Sequence, residues 1–240
     1  MKEIINILSQ VDGGLVLDAA TGRGEFIHTL KQNLKSYSQI IGIDASERNV
    51  EYAEKLFPEN DVEIYRMNLE DIQFEDNYFD TVTLCNSLHH LENTDKVISE
   101  IIRVLKPKGL LVVAEMYSDG DQSPAQLTHV LIHHWIASVD RLSGTYHQST
   151  FKRAELYEMA NKLPLDNIDI IDYYVPVDDP SRNCETLLRN TKDTLKRLET
   201  MPDSEELIIA GNTVLARITD VGCASASRLI ITGYNQKGDK

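Results

Sequence analysis

The chain has 240 residues, 42% of them hydrophobic, enough for one large α/β domain with a full core. Its formal net charge of −14 argues against a polyanionic partner, because affinity for nucleic acid rests largely on Lys and Arg neutralising phosphates. No apolar run approaches the roughly 18 residues of a membrane span, the first residues lack the zones of a signal peptide, and three scattered cysteines predict neither a disulfide framework nor a metal pair.

Residues 1–10 read as a short amphipathic helix with Ile4, Ile5, Ile7 and Leu8 on one side. Residues 15–18 form a short apolar run ending in Asp18. A glycine-containing turn follows, then Phe26, Ile27, Leu30 and Leu34 at helical spacing. The spacing predicts strand, turn, helix. Residues 39–44 are a second buried strand, again ending in an acid. Ser46 is placed to cap a helix that Pro58 terminates. Residues 62–66 and 79–84 are the third and fourth strands. Asn93 or Thr94 opens a helix carrying Val97, Ile98, Ile101, Ile102 and Leu105. Pro107 and Gly109 end it, and residues 110–114 are strand five. Strands alternating with helices imply parallel βαβ units with right-handed crossovers.

After Tyr117 the rhythm changes. Residues 124–140 read as a helix bearing His129, His133, His134 and Trp135, followed by a loop at Ser143, Gly144 and Thr145. A helix over 151–163 and a strand over 168–175 come next. Residues 181–200 are helical, Ser204 is expected to cap a further helix ending at Gly222, and residues 228–234 are a final β-run. The expected organisation is a single domain over 1–240. It comprises a cofactor-binding core at 14–116, a lid and acceptor region at 117–150 and a helical insertion at 181–222. That insertion reads as extra scaffold, as a cover over the pocket or as a homodimer face.

The informative motif is Asp18-Ala19-Ala20-Thr21-Gly22-Arg23-Gly24, between a strand and a helix. Glycine lets the backbone take positive φ and approach a ligand closely. Asp44 lies about 20 residues on, at the end of the next strand, where an acid accepts from both ribose hydroxyls. A dinucleotide site would want a third glycine after Gly22 and Gly24, where Ile27 stands, and no acid before the turn. Asp18 suits a ligand carrying an ammonium group.

These residues resemble the first motif of the class I S-adenosylmethionine (SAM)-dependent methyltransferases, in the branch of ubiquinone/menaquinone C-methyltransferases. The resemblance covers residues 14–116. The commonest form of the motif has Gly where Ala20 stands. Ile41-Gly42-Ile43-Asp44-Ala45-Ser46 resembles the second strand with its ribose acid, and Asn68-Leu69-Glu70-Asp71 the turn packed on adenine. Ser87-Leu88-His89-His90-Leu91 and Arg103-Val104-Leu105-Lys106-Pro107-Lys108-Gly109 match later motifs in order. The resemblance implies a doubly wound seven-stranded sheet of order 3-2-1-4-5-7-6, strand seven antiparallel. It also implies that Asp18, Ala20, Thr21, Gly22, Gly24, Asp44, Ala45, Asn68, Leu69 and Asn86 bind SAM, which leaves as S-adenosylhomocysteine.

Methyl transfer is an in-line displacement needing a base only where the acceptor must lose a proton. His89, His90 and Glu115, at the carboxyl edge of strands four and five, are the candidate catalytic groups. His133, Trp135 and Tyr146 are candidates for the acceptor-pocket wall. His129 and His133 are one helical turn apart, yet no further motif completes a metal set, so no metal is expected. No Asn-Pro-Pro-Tyr run follows strand four, where Cys85-Asn86-Ser87-Leu88 stands. The expected function is SAM-dependent methylation of a small molecule in the cytoplasm, without nucleic-acid or membrane partners. The alternative is a SAM-binding regulatory or scaffold protein without turnover.

Overall fold

A computed structural model describes residues 2–173 and 184–236. Seven strands form one sheet in the order β3-β2-β1-β4-β5-β7-β6, with β7 antiparallel. They are β1 (Leu15–Ala19), β2 (Gln39–Asp44), β3 (Val62–Arg66), β4 (Phe79–Cys85), β5 (Leu105–Met116), β6 (Leu165–Tyr173) and β7 (Arg228–Asn235). The helices are α1 (Lys2–Leu8), α2 (Glu25–Asn33), α3 (Glu47–Leu56), α4 (Thr94–Val104), α5 (Pro124–Leu142), α6 (Arg153–Lys162), α7 (Cys184–Leu198) and α8 (Glu205–Val221). β1 pairs in parallel with β2 on one side and β4 on the other. The winding therefore reverses between β1 and β4, the point at which open α/β sheets bind ligands.

The central strands are apolar because both their faces are covered. Val16, Leu17, Ile40, Ile43, Val82, Leu84, Leu111 and Val112 are fully buried. The Ser46 hydroxyl accepts the Asn49 N–H and caps α3, as its position predicts. α4 stops at Val104, before Pro107, and β5 begins at Leu105, earlier than the expected residue 110. Register between β4 and β5 breaks after Phe79–Leu105 and resumes at Thr81–Leu110, which accommodates Lys108 at φ 58°.

By contact the chain forms two compact units. Among the described residues, one comprises 2–115, 157–173 and 229–236, and carries nearly all of the sheet. The other comprises 116–156 and 184–228. The expected 117–150 region falls within the second unit, as do the described residues of the expected 181–222 insertion; 181–183 lie outside the described residues, as do 174 and 175 of the expected sixth strand.

The second unit has its own apolar core, in which α5, α7 and α8 contribute Ile132, Trp135, Val139, Leu195, Leu198, Val214 and Ile218. α5 and α8 approach closely at Gly211, where a Cβ would overlap the Trp135 ring and stand 2.7 Å from Leu195 Cδ2. Ser204 does not cap α8 with its side chain. It is buried, and its hydroxyl donates instead to the carbonyls of Leu198 (2.7 Å) and Met201 (2.8 Å) at the end of α7.

The cysteine expectation is corrected here. Cys184, opening α7, and Cys223, just after α8, form a disulfide with Cα atoms 5.7 Å apart. Thirty-nine residues separate them, so the pairing is set by how α7 and α8 fold back on each other, and spacing alone is silent. A crosslink closing a loop of that length stabilises by about 4 kcal/mol in the chain-entropy account. In denaturant without reductant, a thiol reagent is expected to find one group per chain, Cys85, and three after reduction. Three before reduction would remove the crosslink.

Candidate cofactor site and the groups at the sheet edge

The turn after β1 is built from backbone that most residues resist. Ala20, Gly22 and Gly24 have φ of 53°, 58° and 85°. That region is rarely taken by a non-glycine residue, so Ala20 is held there by its surroundings. The Thr21 N–H donates to the Ile43 carbonyl (2.9 Å) and the Gly24 N–H to the Thr21 carbonyl (2.9 Å). At Gly24 an added Cβ would lie 2.5 Å from the Phe57 ring. At Gly22 it would meet only Glu25 Oε2, at 3.9 Å. The turn is therefore packed against protein at Gly24 and open at Gly22, which leaves room for a ligand against the Gly22 backbone.

Asp18 closes the inner end of this turn. It is 1% exposed, and its two carboxyl oxygens accept from the Thr21 and Thr83 hydroxyls, each at 2.7 Å. Burial pushes its pKa up to about 6, against the two hydroxyl bonds, which lower it; the Asp44 and Glu25 charges add to the rise. The folded value lies above the ordinary 3.8. The contribution of this group to stability is thus fullest below that pH and is lost as pH climbs to about 6, a change of about 3 kcal/mol. A cationic ligand beside Asp18 would favour the ionised form and reverse part of that loss.

Asp44 ends β2 facing the same turn. One carboxylate oxygen accepts the Gly22 N–H (2.9 Å); the other accepts the Ser46 N–H (2.9 Å) and the Asn49 side-chain amide (3.2 Å). Three donors fix the carboxylate, with one lone-pair site remaining for a further hydroxyl. The next segment is tied to it, since the Met67 N–H donates to the Asp44 carbonyl at 2.9 Å. Asn68 makes a turn on itself, its side-chain oxygen accepting the Glu70 N–H at 3.0 Å. Leu69 is buried and Ala45 is exposed.

Sequence reasoning missed what holds that turn. Ile72 is gripped at both backbone groups: its N–H donates to Glu100 Oε2 (3.0 Å), and its carbonyl accepts from Arg103 (2.7 Å). Arg103 also donates to the Phe74 carbonyl, Asp76 and both Glu100 oxygens. The late Arg103-to-Gly109 motif therefore serves residues 72–76, as well as ending a helix. The signal was available in Glu100 and Arg103, three apart on one helix.

At the ends of β4 and β5, Glu115 is fully buried. Its Oε2 accepts the Leu88 N–H (2.8 Å) and its Oε1 lies 3.0 Å from His89 Nδ1. A carboxylate only accepts, so an ionised Glu115 places the imidazole proton on Nδ1 and the basic lone pair on Nε2. His90 is exposed, its ring centroid 4.3 Å from that of His89. Asn86, directly after β4, takes φ 50°.

The other expected residues lie in the second unit. The His129 and His133 rings stack at 5.0 Å, and His133 meets His147 edge-on at 6.5 Å. His147 Nδ1 lies 2.7 Å from Asp140 Oδ2. Tyr146 is exposed. Trp135 departs from the expectation of a pocket wall. It is 4% exposed within the helical core, and its indole N–H donates to the Leu207 carbonyl at 2.8 Å. Packing uses its rings and its one polar atom together.

Residues 17–113 match the family model described as a methyltransferase domain. A demethylmenaquinone methyltransferase of Thermotoga maritima is 29% identical over 148 residues, 61% of this chain and 63% of that protein. A ubiquinone/menaquinone biosynthesis C-methyltransferase of Francisella tularensis is 34% identical over 107 residues, 43% of each. The chain spans less than two thirds of the length of these curated relatives. Among solved structures, the YcgJ protein of Bacillus subtilis matches with a TM-score of 0.64 and 21% identity, covering 99% of this chain and 98% of that one. A phosphoethanolamine N-methyltransferase of Haemonchus contortus, solved with S-adenosylhomocysteine, matches at 0.58 and 18%, covering 98% and 52%.

Proposed function

We propose that this chain, whose residues 17–113 are a methyltransferase domain of the class I SAM-dependent kind, moves a methyl group from SAM to a small-molecule acceptor. The observation that carries this reading is the Asp44 carboxylate. It is fixed at the end of β2 by the Gly22 N–H of the open glycine turn, where a ribose needs an acceptor pair. The cofactor fits the donor set. Asp18 would meet the ammonium group, Ala20, Thr21, Gly22 and Gly24 would follow the methionine part, Asp44 would hold the ribose, Ala45 would contact the adenine face, and Asn68 and Leu69 would flank the adenine.

When bound, SAM supplies a methyl on a sulfonium that is already a good leaving group. The protein's part is to hold acceptor and methyl in line at about 3–3.5 Å, which can be worth on the order of 7–11 kcal/mol. Where the acceptor carries a proton that must leave, His89 is oriented by Glu115 to receive it at Nε2. His133 and Tyr146 are the proposed contributors to acceptor recognition. The curated relatives, a demethylmenaquinone methyltransferase and a ubiquinone/menaquinone biosynthesis C-methyltransferase, favour a quinone-type acceptor.

The test is calorimetric titration with SAM and with S-adenosylhomocysteine, followed by a search for methyl transfer across quinols, phenols and amines. Micromolar binding and turnover are expected. A folded protein that binds neither ligand at millimolar concentration overturns the reading, and binding with no methyl loss to any acceptor turns it towards the regulatory alternative.

The pH dependence is a second check. Asp18 titrates near 6 when the site lacks a cation, and an ammonium group beside it favours the carboxylate. Binding at pH 6 is therefore expected to release about half a proton, and affinity to fall about tenfold per pH unit below 6. Calorimetry in buffers of different ionisation enthalpy measures the proton. An identical profile in Asp18→Asn would show that another group is responsible.

A further inference from the structure

Residues 67–78 join β3 to β4 and form neither helix nor strand. Most of the segment is exposed, and its buried residues are Leu69 and Ile72. No strand ladder fixes such a segment. In the reading above, Asn68 and Leu69 must nevertheless present their polar groups to adenine to within about half an ångström.

The fixing groups come from α4. Glu100 Oε2 accepts the Ile72 N–H, while the Asn77 and Tyr78 N–H groups donate to the Arg103 and Val104 carbonyls at 3.0 and 2.7 Å. Asn93, just before α4, donates its side-chain amide to Glu70 Oε1 at 2.9 Å. Every guanidinium N–H of Arg103 is used. Nε donates to Glu100 Oε1, one terminal nitrogen to the Phe74 carbonyl and Asp76, and the other to the Ile72 carbonyl and Glu100 Oε2, at 2.7 to 3.0 Å. Glu100 is 7% exposed. A buried ion pair is often no more stabilising than apolar residues of the same volume, so stability alone does not account for this one. Its distinctive effect is geometric: a planar fork and a carboxylate grip both faces of the Ile72 peptide.

We propose that Glu100 and Arg103 are positioning residues for the base of the cofactor. By gripping Ile72 they hold Asn68 and Leu69 in the arrangement that reads adenine, and so set the preference for adenine over other purines. This rests on the SAM reading. Both residues act through the turn at 68–72 and take no part in methyl transfer.

The experiment uses the full chain and two probes, S-adenosylhomocysteine and S-inosylhomocysteine, in which a carbonyl oxygen replaces the adenine amino group. Calorimetry is expected to show wild type favouring the adenosyl probe by at least about tenfold, since the exchange sets an acceptor against the Asn68 acceptor. Glu100→Gln leaves one acceptor oxygen to serve both the Ile72 N–H and the guanidinium. Arg103→Lys replaces a rigid fork with a flexible ammonium. Each variant should weaken the adenosyl probe by about 5- to 20-fold and leave the inosyl probe within about twofold, so that the preference shrinks. If the folded variants weaken both probes by the same factor, or neither, the pair is only structural and the inference is overturned while the cofactor reading stands. Should one variant fail to fold, the other decides. Hydrogen exchange on unliganded wild type needs no variant: the Ile72 amide is expected to be protected before ligand is added, and an amide exchanging at the free-peptide rate overturns the grip. If wild type binds both probes equally, the reading of adenine at Asn68 fails and the inference with it. If wild type binds neither, the cofactor reading itself falls.

Discussion

Asp44→Ala is expected to weaken SAM binding by at least about tenfold while leaving the fold intact. The carboxylate holds three donors of the protein, the Gly22 and Ser46 N–H groups and the Asn49 amide. Its fourth lone-pair site is left for a ribose hydroxyl. A hydrogen bond to a charged group contributes about 1.5–3 kcal/mol, which corresponds to about 10- to 10²-fold in affinity. The variant also frees the Gly22 N–H and loosens the turn. Asp44→Asn retains one acceptor oxygen and should fall between wild type and Ala. Titration with SAM, alongside far-ultraviolet circular dichroism, separates lost binding from lost structure. An Ala variant within tenfold of wild type would remove Asp44 from the ribose.

Trp135→Ala is expected to destabilise the helical unit by about 3–5 kcal/mol, the range for deleting a large buried aromatic. The indole fills the space between α5 and α8 that Gly211 leaves, and its N–H satisfies the Leu207 carbonyl. Trp135→Phe keeps most of the packing and loses the hydrogen bond, so it should cost less, about 1–2 kcal/mol. Urea unfolding followed by circular dichroism measures both. If instead Trp135→Ala left stability unchanged and altered only acceptor kinetics, Trp135 would return to the pocket wall where its sequence position first put it.

These two residues mark where reading the chain reaches and where it stops. The position of Asp44 against the glycine turn was legible because it depends on local order: a strand, an acid at its end, and a glycine turn about 20 residues earlier. Ser46 was legible for the same reason, since a cap needs only its own first turn. Trp135 was not, because a helical aromatic can face a pocket or a core, and only the approach of α8 at Gly211 decides. Cys184 and Cys223 were misread because the two residues, 39 apart in sequence, meet only once α7 and α8 fold back on each other. Ser204 carried a capping signal that was overridden once burial turned its hydroxyl onto α7. The strand order came from resemblance; alternation of strands and helices alone leaves several orders open.

The place of β7 in the sheet has a consequence for synthesis. β7 is the last strand made, yet it lies between β5 and β6. As the chain emerges from the ribosome, β5 must wait with an open edge while residues 117–227 are added, and β6 has no neighbour to join until β7 arrives. Such an edge invites pairing with other chains, and closing it joins segments more than a hundred residues apart, a slow step for a domain of this size. A nascent chain stalled before residue 228 should therefore be protease-sensitive and prone to associate, and release of the last strand should trigger completion of the sheet.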